Sequence, residues 1–214
     1  NTEVVSSCSI ILLAVKPQMM DAVLEEIASF VSEDKTVVSI AAGITLSYLR
    51  SRLKTERLVR VMPNTPAIVQ EGMSVLSLCD CFPERELSIV REIFMSVGRV
   101  ITLPEKYVNA VTALSGSGPA FYALFAEALI AAGVSLGLGV KEATELAVQT
   151  MLGTAHLLRD ENVHPVELRE QVTSPGGTTI RAIRELERAG VRAAFLNAIQ
   201  AAVERSQELA AGEQ

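Results

Sequence analysis

The sequence predicts an α/β fold: a parallel sheet over residues 1–103, followed by an all-α domain over residues 104–214. Three observations carry this. Short β-branched runs in the first part lack the apolar/polar alternation of a half-solvated strand and are separated by amphipathic stretches, the pattern of a sheet covered on both faces. Strand signals stop after Pro104, and Ala-rich segments with apolar residues at helical spacing continue to the end. A chain of 214 residues with 49% hydrophobic content can bury a sizeable core.

The strands are expected at Ser9 to Val15, Lys35 to Ala41, Arg57 to Met62, Met73 to Cys79 and Arg99 to Leu103. Helices fall between them near Met19 to Val31, Leu46 to Leu53 and from Pro83 onward, where Pro and Glu suit a first turn. Beyond the sheet, helices are expected near Glu105 to Ala113, Pro119 to Leu136, Lys141 to Arg159, Pro165 to Val172, Thr179 to Ala189 and Arg192 to Leu209. The chain opens on polar residues before what reads as a middle strand.

Composition narrows the function. A net charge of -6 and the absence of Trp leave no basic stripe and few stacking platforms, which argues against nucleic acid as a partner. Cys8, Cys79 and Cys81 are an odd set, and Cys79-Asp80-Cys81 has no nearby His to complete a zinc site. They read as reduced thiols of a cytoplasmic protein. Asn1-Thr2-Glu3 lacks the basic region of a signal peptide, and Ile10 to Val15 is too short to span a bilayer. Pro119 to Leu138 has the length and apolarity of a membrane helix, but Glu127 interrupts it and no second such segment follows. Its Ala and Gly content suits close helix packing, so we expect it buried on all sides against another subunit, not in a membrane.

Ligands of open α/β sheets bind at the carboxyl ends of the strands. Three such ends stand out. Ala14-Val15-Lys16-Pro17 places a cation where a ribose or phosphate could be reached, Ala41-Ala42-Gly43 lets a flat ring approach the backbone, and Asn64 is held between two prolines in Met62-Pro63-Asn64-Thr65-Pro66. Each also has a plain reading, as a solvated strand end, the start of a helix or a turn residue, and it is their joint occurrence that favours a site. Ser115-Gly116-Ser117-Gly118-Pro119 reads as a structural turn that lines the site between two helical patterns, with Pro119 in the first turn of the second. It has no Lys of the kind a phosphate-binding P-loop carries after its glycines.

Thr173-Ser174-Pro175-Gly176-Gly177-Thr178-Thr179 is the second candidate site. Pro-Gly-Gly forces a tight turn, and the helix that follows, carrying Ile180, Ile183 and Leu186 on one face, presents free N–H groups and partial positive charge at its start. Such a start can hold a carboxylate, and the hydroxyls of Ser174, Thr178 and Thr179 add hydrogen-bonding groups. The same residues also suit an ordinary helix start after a turn, and residue types alone leave both open. His156 and His164 have no partner Ser or Cys at a recognisable spacing, which gives hydrolase triads little support.

Taken together, Ala14-Val15-Lys16-Pro17, Ala41-Ala42-Gly43, Asn64-Thr65-Pro66, Leu114 to Ala120 and Thr173 to Ile180 make the chain resemble the pyrroline-5-carboxylate reductases over essentially its whole length. The resemblance implies a Rossmann-type domain for NADPH or NADH and a helical domain for substrate binding and homodimerisation, with dimers that can assemble into rings. It places Ala14, Val15, Lys16, Pro17, Ala41, Ala42, Asn64 and Gln171 against the cofactor. It places Ser174, Gly176, Gly177, Thr178 and Thr179 on a small carboxylate substrate, with Thr179 in the catalytic role and no metal. The implied reaction is hydride transfer to the imine of 1-pyrroline-5-carboxylate, giving L-proline. A regulatory paralogue that only dimerises, and a reductase of a related cyclic imine, remain alternatives at this level. Rossmann domains normally open with a strand and a Gly-x-Gly-x-x-Gly turn. None is present, so the amino-terminal part of the sheet is expected to be missing.

Overall fold

Five strands form one sheet in the order β1 (Ile10–Leu13), β2 (Thr36–Ser39), β3 (Leu58–Met62), β4 (Gly72–Leu78) and β5 (Gly98–Thr102). The coordinates are a computed structural model, and they describe residues 1–79 and 82–211. Cys81 therefore lies outside the described residues, whereas Cys8 is an exposed thiol. All five expected strands are present, each within about two residues of its predicted bounds.

The sheet departs from the all-parallel expectation. β1, β2 and β3 run parallel, and so do β4 and β5, but β4 runs antiparallel to β3. The cause is the connection. Only residues 63–71 join the two strands, and they hold a single 3₁₀ turn, Thr65–Val69, whereas a parallel return needs a crossover of about a dozen residues or more. Among the described residues β1 sits at the sheet edge, pairs only with β2, and leaves Leu12 48% exposed.

Strand residues alternate between two cores. Val37 points into a cluster with Ile11, Leu13, Met20, Leu24, Ile27, Leu49 and Leu58, and adjacent Val38 points to the other face, among Val59, Val61, Leu76, Val90 and Phe94. The first face is covered by α1 (Thr2–Ser7), α2 (Met20–Ile27) and α3 (Leu46–Arg52), the second by α4 (Glu84–Met95). α1 has no counterpart in the sequence prediction, because it is short, polar and buries only Val5.

After β5 every regular element is helical: α5 (Val108–Val111), α6 (Gly118–Ser135), α7 (Val140–Arg159), α8 (Pro165–Gln171), α9 (Thr178–Arg188) and α10 (Val191–Ala211). The chain divides into two compact units, residues 1–119 together with the segment from 199 onward, and residues 120–198. The first helical segment and the end of the last thus belong with the sheet. One tie is visible at Arg60, a buried residue of β3. Its guanidinium lies 3.0 Å from the Glu105 carboxylate, which also accepts the Leu46 N–H at the start of α3 at 2.8 Å.

In the second unit α6 ends because Gly137 takes φ +96°, with the Leu138 N–H returning to the Gly133 carbonyl at 3.2 Å. α7 then packs closely enough that a Cβ on Gly133 would sit 3.1 Å from that of Ala143. Yet Ala143 and Ala147 are the only buried residues between 120 and 198. The expectation that α6 is buried on all sides is not met by one chain: Tyr122, Leu124, Phe125 and Leu129 are all exposed. The segment 105–135 is long and apolar enough to cross a membrane by length and composition.

Candidate functional site

The strand-end residues come together in the sheet unit as the parallel pairing of β1, β2 and β3 requires. Ala14, Val15, Lys16 and Pro17 form the turn after β1, with Pro17 starting a short 3₁₀ segment and Ala14, Lys16 and Pro17 exposed. Ala41, Ala42 and Gly43 follow β2. Gly43 takes φ +79°, a conformation costly for any side chain, and a Cβ there would lie 3.6 Å from the Leu209 carbonyl oxygen of α10. The second strand end thus has a backbone-lined approach bordered by the last helix. Of the residues expected here, Ala42 and Lys16 are exposed, whereas Ala41 is buried in the core of that face.

Asn64, after β3, is engaged on both sides. Its Oδ1 accepts the Met73 N–H at 2.8 Å, and its Nδ2 donates to the Ser115 carbonyl at 3.1 Å. Ser115, expected in a turn, lies instead at the end of a helical one. Residues 112–116 form a π-helical turn that leads into α6, closed by the Ser117 N–H on the Thr112 carbonyl at 2.8 Å. Met62 packs against Gly116 so closely that a Cβ there would meet its Cε at 2.8 Å.

The anion-binding candidate lies in the helical unit. Residues 173–177 are irregular, Gly176 takes φ +69°, and the Gly177 N–H closes the turn on the Ser174 carbonyl at 3.1 Å. α9 then begins at Thr178 with Gly177 as its N-cap, so no side chain satisfies the first N–H groups. A Cβ on Gly177 would meet Ser174 Oγ at 2.3 Å, a contact that rotation of the serine relieves, and the Ser174 carbonyl oxygen at 3.2 Å. Ser174, Gly176 and Thr178 are exposed, and Gly177 and Thr179 are half-buried. Gln171, at the end of α8, is exposed and donates to Glu167 at 3.3 Å. Both histidines are bonded locally: His164 caps α8 by accepting the Val166 N–H, and His156 pairs with Asp160 at the end of α7. No cluster of metal-ligating side chains occurs among the described residues.

Sequence reasoning missed two features of the sheet side, the Glu105 carboxylate shared by Arg60 and α3, and the bridging role of Asn64. Both depend on partners distant in sequence. Only an Arg inside an apolar strand hints at the first.

The chain is similar to known proteins over nearly its full length. A family model described as pyrroline-5-carboxylate reductase dimerisation matches residues 105–209, and one described as NADP oxidoreductase, coenzyme F420-dependent, matches residues 1–43. The pyrroline-5-carboxylate reductase of Pisum sativum is 42% identical over 209 residues, which span 98% of this chain and 77% of that protein. Among solved structures, a pyrroline-5-carboxylate reductase from Coxiella burnetii superposes with a TM-score of 0.92 at 37% identity, covering 97% of this chain and 78% of that one. The Plasmodium falciparum pyrroline carboxylate reductase with NADP bound gives 0.89 at 33% identity, covering 98% and 80%.

Proposed function

Because the chain belongs to the pyrroline-5-carboxylate reductase family, we propose that it reduces the imine of 1-pyrroline-5-carboxylate with NADPH or NADH, giving L-proline. The observation that carries this reading is the start of α9, where Gly177 leaves N–H groups uncapped behind a Pro-Gly-Gly turn. Those N–H groups, with the helix dipole behind them, bind the substrate carboxylate. Ser174 and Thr178 hydroxyls add hydrogen bonds to it, and Gly176 and Gly177 let it approach the backbone. Thr179, one residue further along α9, orients the ring nitrogen through its hydroxyl and relays the proton that the nitrogen gains as the C=N bond is reduced.

The cofactor, when bound, supplies the hydride that adds to the imine carbon. In this chain Ala14, Val15, Lys16 and Pro17 and the Ala41-Ala42 turn hold it at the strand ends, with Lys16 offering charge to a phosphate or ribose. Asn64 borders the same end of the sheet. Gln171 is assigned to the cofactor by family resemblance alone.

Residues 104–214 act as the substrate-binding and dimerisation domain, and residues 1–103 as the nucleotide-binding one. The exposed apolar faces of α6 and α9 are subunit interface in a soluble homodimer, which can build into a ring. Cytoplasmic location follows from the same reading. In the test, the full-length protein is mixed with NADPH and 1-pyrroline-5-carboxylate. Imine-dependent NADPH oxidation with equimolar proline supports the proposal, and NADPH binding without turnover of the imine defeats it.

A further inference from the structure

Pro119 has no N–H, so the Ser115 carbonyl four residues before it cannot receive its ordinary helical hydrogen bond. The chain meets this defect in two ways: it shifts to a π-helical turn over 112–116, and it brings the Asn64 carboxamide from the end of β3 to donate to Ser115 O at 3.1 Å. The other end of that amide is fixed as well, since Oδ1 accepts from Met73 N–H at the start of β4. One partner is a donor and the other an acceptor, so only one orientation of the amide serves both.

We propose that Asn64 is a positioning residue for catalysis: its amide stands in for the hydrogen bond that Pro119 removes, and so clamps the turn at Ser115–Gly118 to the carboxyl end of β3 and the start of β4. Met62 against Gly116 supplies the apolar half of the same clamp. The proposal rests on the reductase reading, in which this end of the sheet holds the nicotinamide. A turn released from β3 shifts the floor beneath the reacting ring, and small misplacements of reacting groups are costly. Both polar ends of Asn64 are already bonded within the chain, so its effect is indirect.

The test uses three variants of the full-length protein. Asn64→Asp keeps the acceptor for Met73 but turns a carboxylate oxygen toward the Ser115 carbonyl, and protonation restores a donor. Its kcat is expected to fall roughly 10-fold above neutral pH, with KM for the imine little changed, and to recover relative to wild type as the pH drops. Asn64→Ala should be comparably slow. Placed on Pro119→Ala, where residue 119 regains an N–H for Ser115, the same Asn64→Ala change should cost at most about a third of that factor. A pH profile parallel to wild type, or an Asn64→Ala loss unchanged by Pro119→Ala, overturns the proposal. Should wild type itself fail to reduce the imine, the reductase reading falls. The coupling of Asn64 and Pro119 in thermal unfolding, measured without substrate, then decides whether the clamp exists.

Discussion

The two units of this chain are built to different standards of self-sufficiency. The sheet unit has a core on each face, with Met20, Leu49, Val37, Val59, Leu76 and Val90 all at 0% exposure. The helical unit buries two alanines and leaves Leu124 66% and Leu196 72% exposed. Its helices are as long and regular as any in the molecule, so regular secondary structure does not by itself make a core. The apolar stripe of α9 and the all-round apolarity of α6 are complete only with further surface against them. The sheet unit carries its own core, whereas the helical unit leaves its apolar faces uncovered within one chain.

That contrast can be broken from either side. Leu76→Ala removes a fully buried side chain, and we expect a loss of about 2–5 kcal/mol in denaturant unfolding. Its size should not vary with protein concentration once dimer dissociation is allowed for. Leu124→Asp, on α6, should instead leave the sheet unit intact and weaken the dimer by roughly 2–3 kcal/mol, some 30- to 150-fold in Kd. Light scattering across a dilution series reads this, and a dimer of wild-type affinity would show that α6 is not interface. Thr179→Ala should lower kcat/KM about 10- to 100-fold with the melting temperature unchanged, which separates chemistry from both kinds of packing. Unchanged kcat/KM removes Thr179 from the mechanism.

The smallest effect belongs to an exposed cluster on α7. Arg159 first, and His156 second, hold the Asp160 carboxyl well below the usual carboxylate range. A carboxyl depressed in the folded state contributes stability above its unfolded pKa and loses it as the pH falls toward the folded value. Asp160→Asn should therefore differ slightly from wild type at neutral pH, and the two should converge on acidification below the carboxylate range. A difference that persists in strong acid would assign the effect to packing.

Much of this was legible because the signals are local. Val37-Val38, Val59 and Val61, and Val75-Leu76 mark strands by residue type, and Gly137 and Pro165 mark helix boundaries by what they cannot do. The α9 start was legible for the same reason, since Pro-Gly-Gly limits the turn without reference to anything distant. Strand direction was not. β4 is buried on both faces just as a parallel strand would be, and the short link between Met62 and Gly72 was the available clue. The π-helical turn was hidden because Ser-Gly-Ser-Gly reads as loop, and because Asn64, which braces it, lies far off in sequence.

Gly72 and Gly98 face each other where β4 and β5 begin to pair. A Cβ on Gly98, at φ +147°, would fall 2.0 Å from the Gly72 carbonyl oxygen, and one on Gly72 would crowd Ala67 and the Val97 carbonyl at 2.9 Å. Sliding β5 by one residue would set Glu71 or Met73 in the place that only a glycine fits, and would turn every side chain of the strand to the wrong face. The paired glycines thus serve as an index mark during folding: they leave the last strand one alignment in which it can dock.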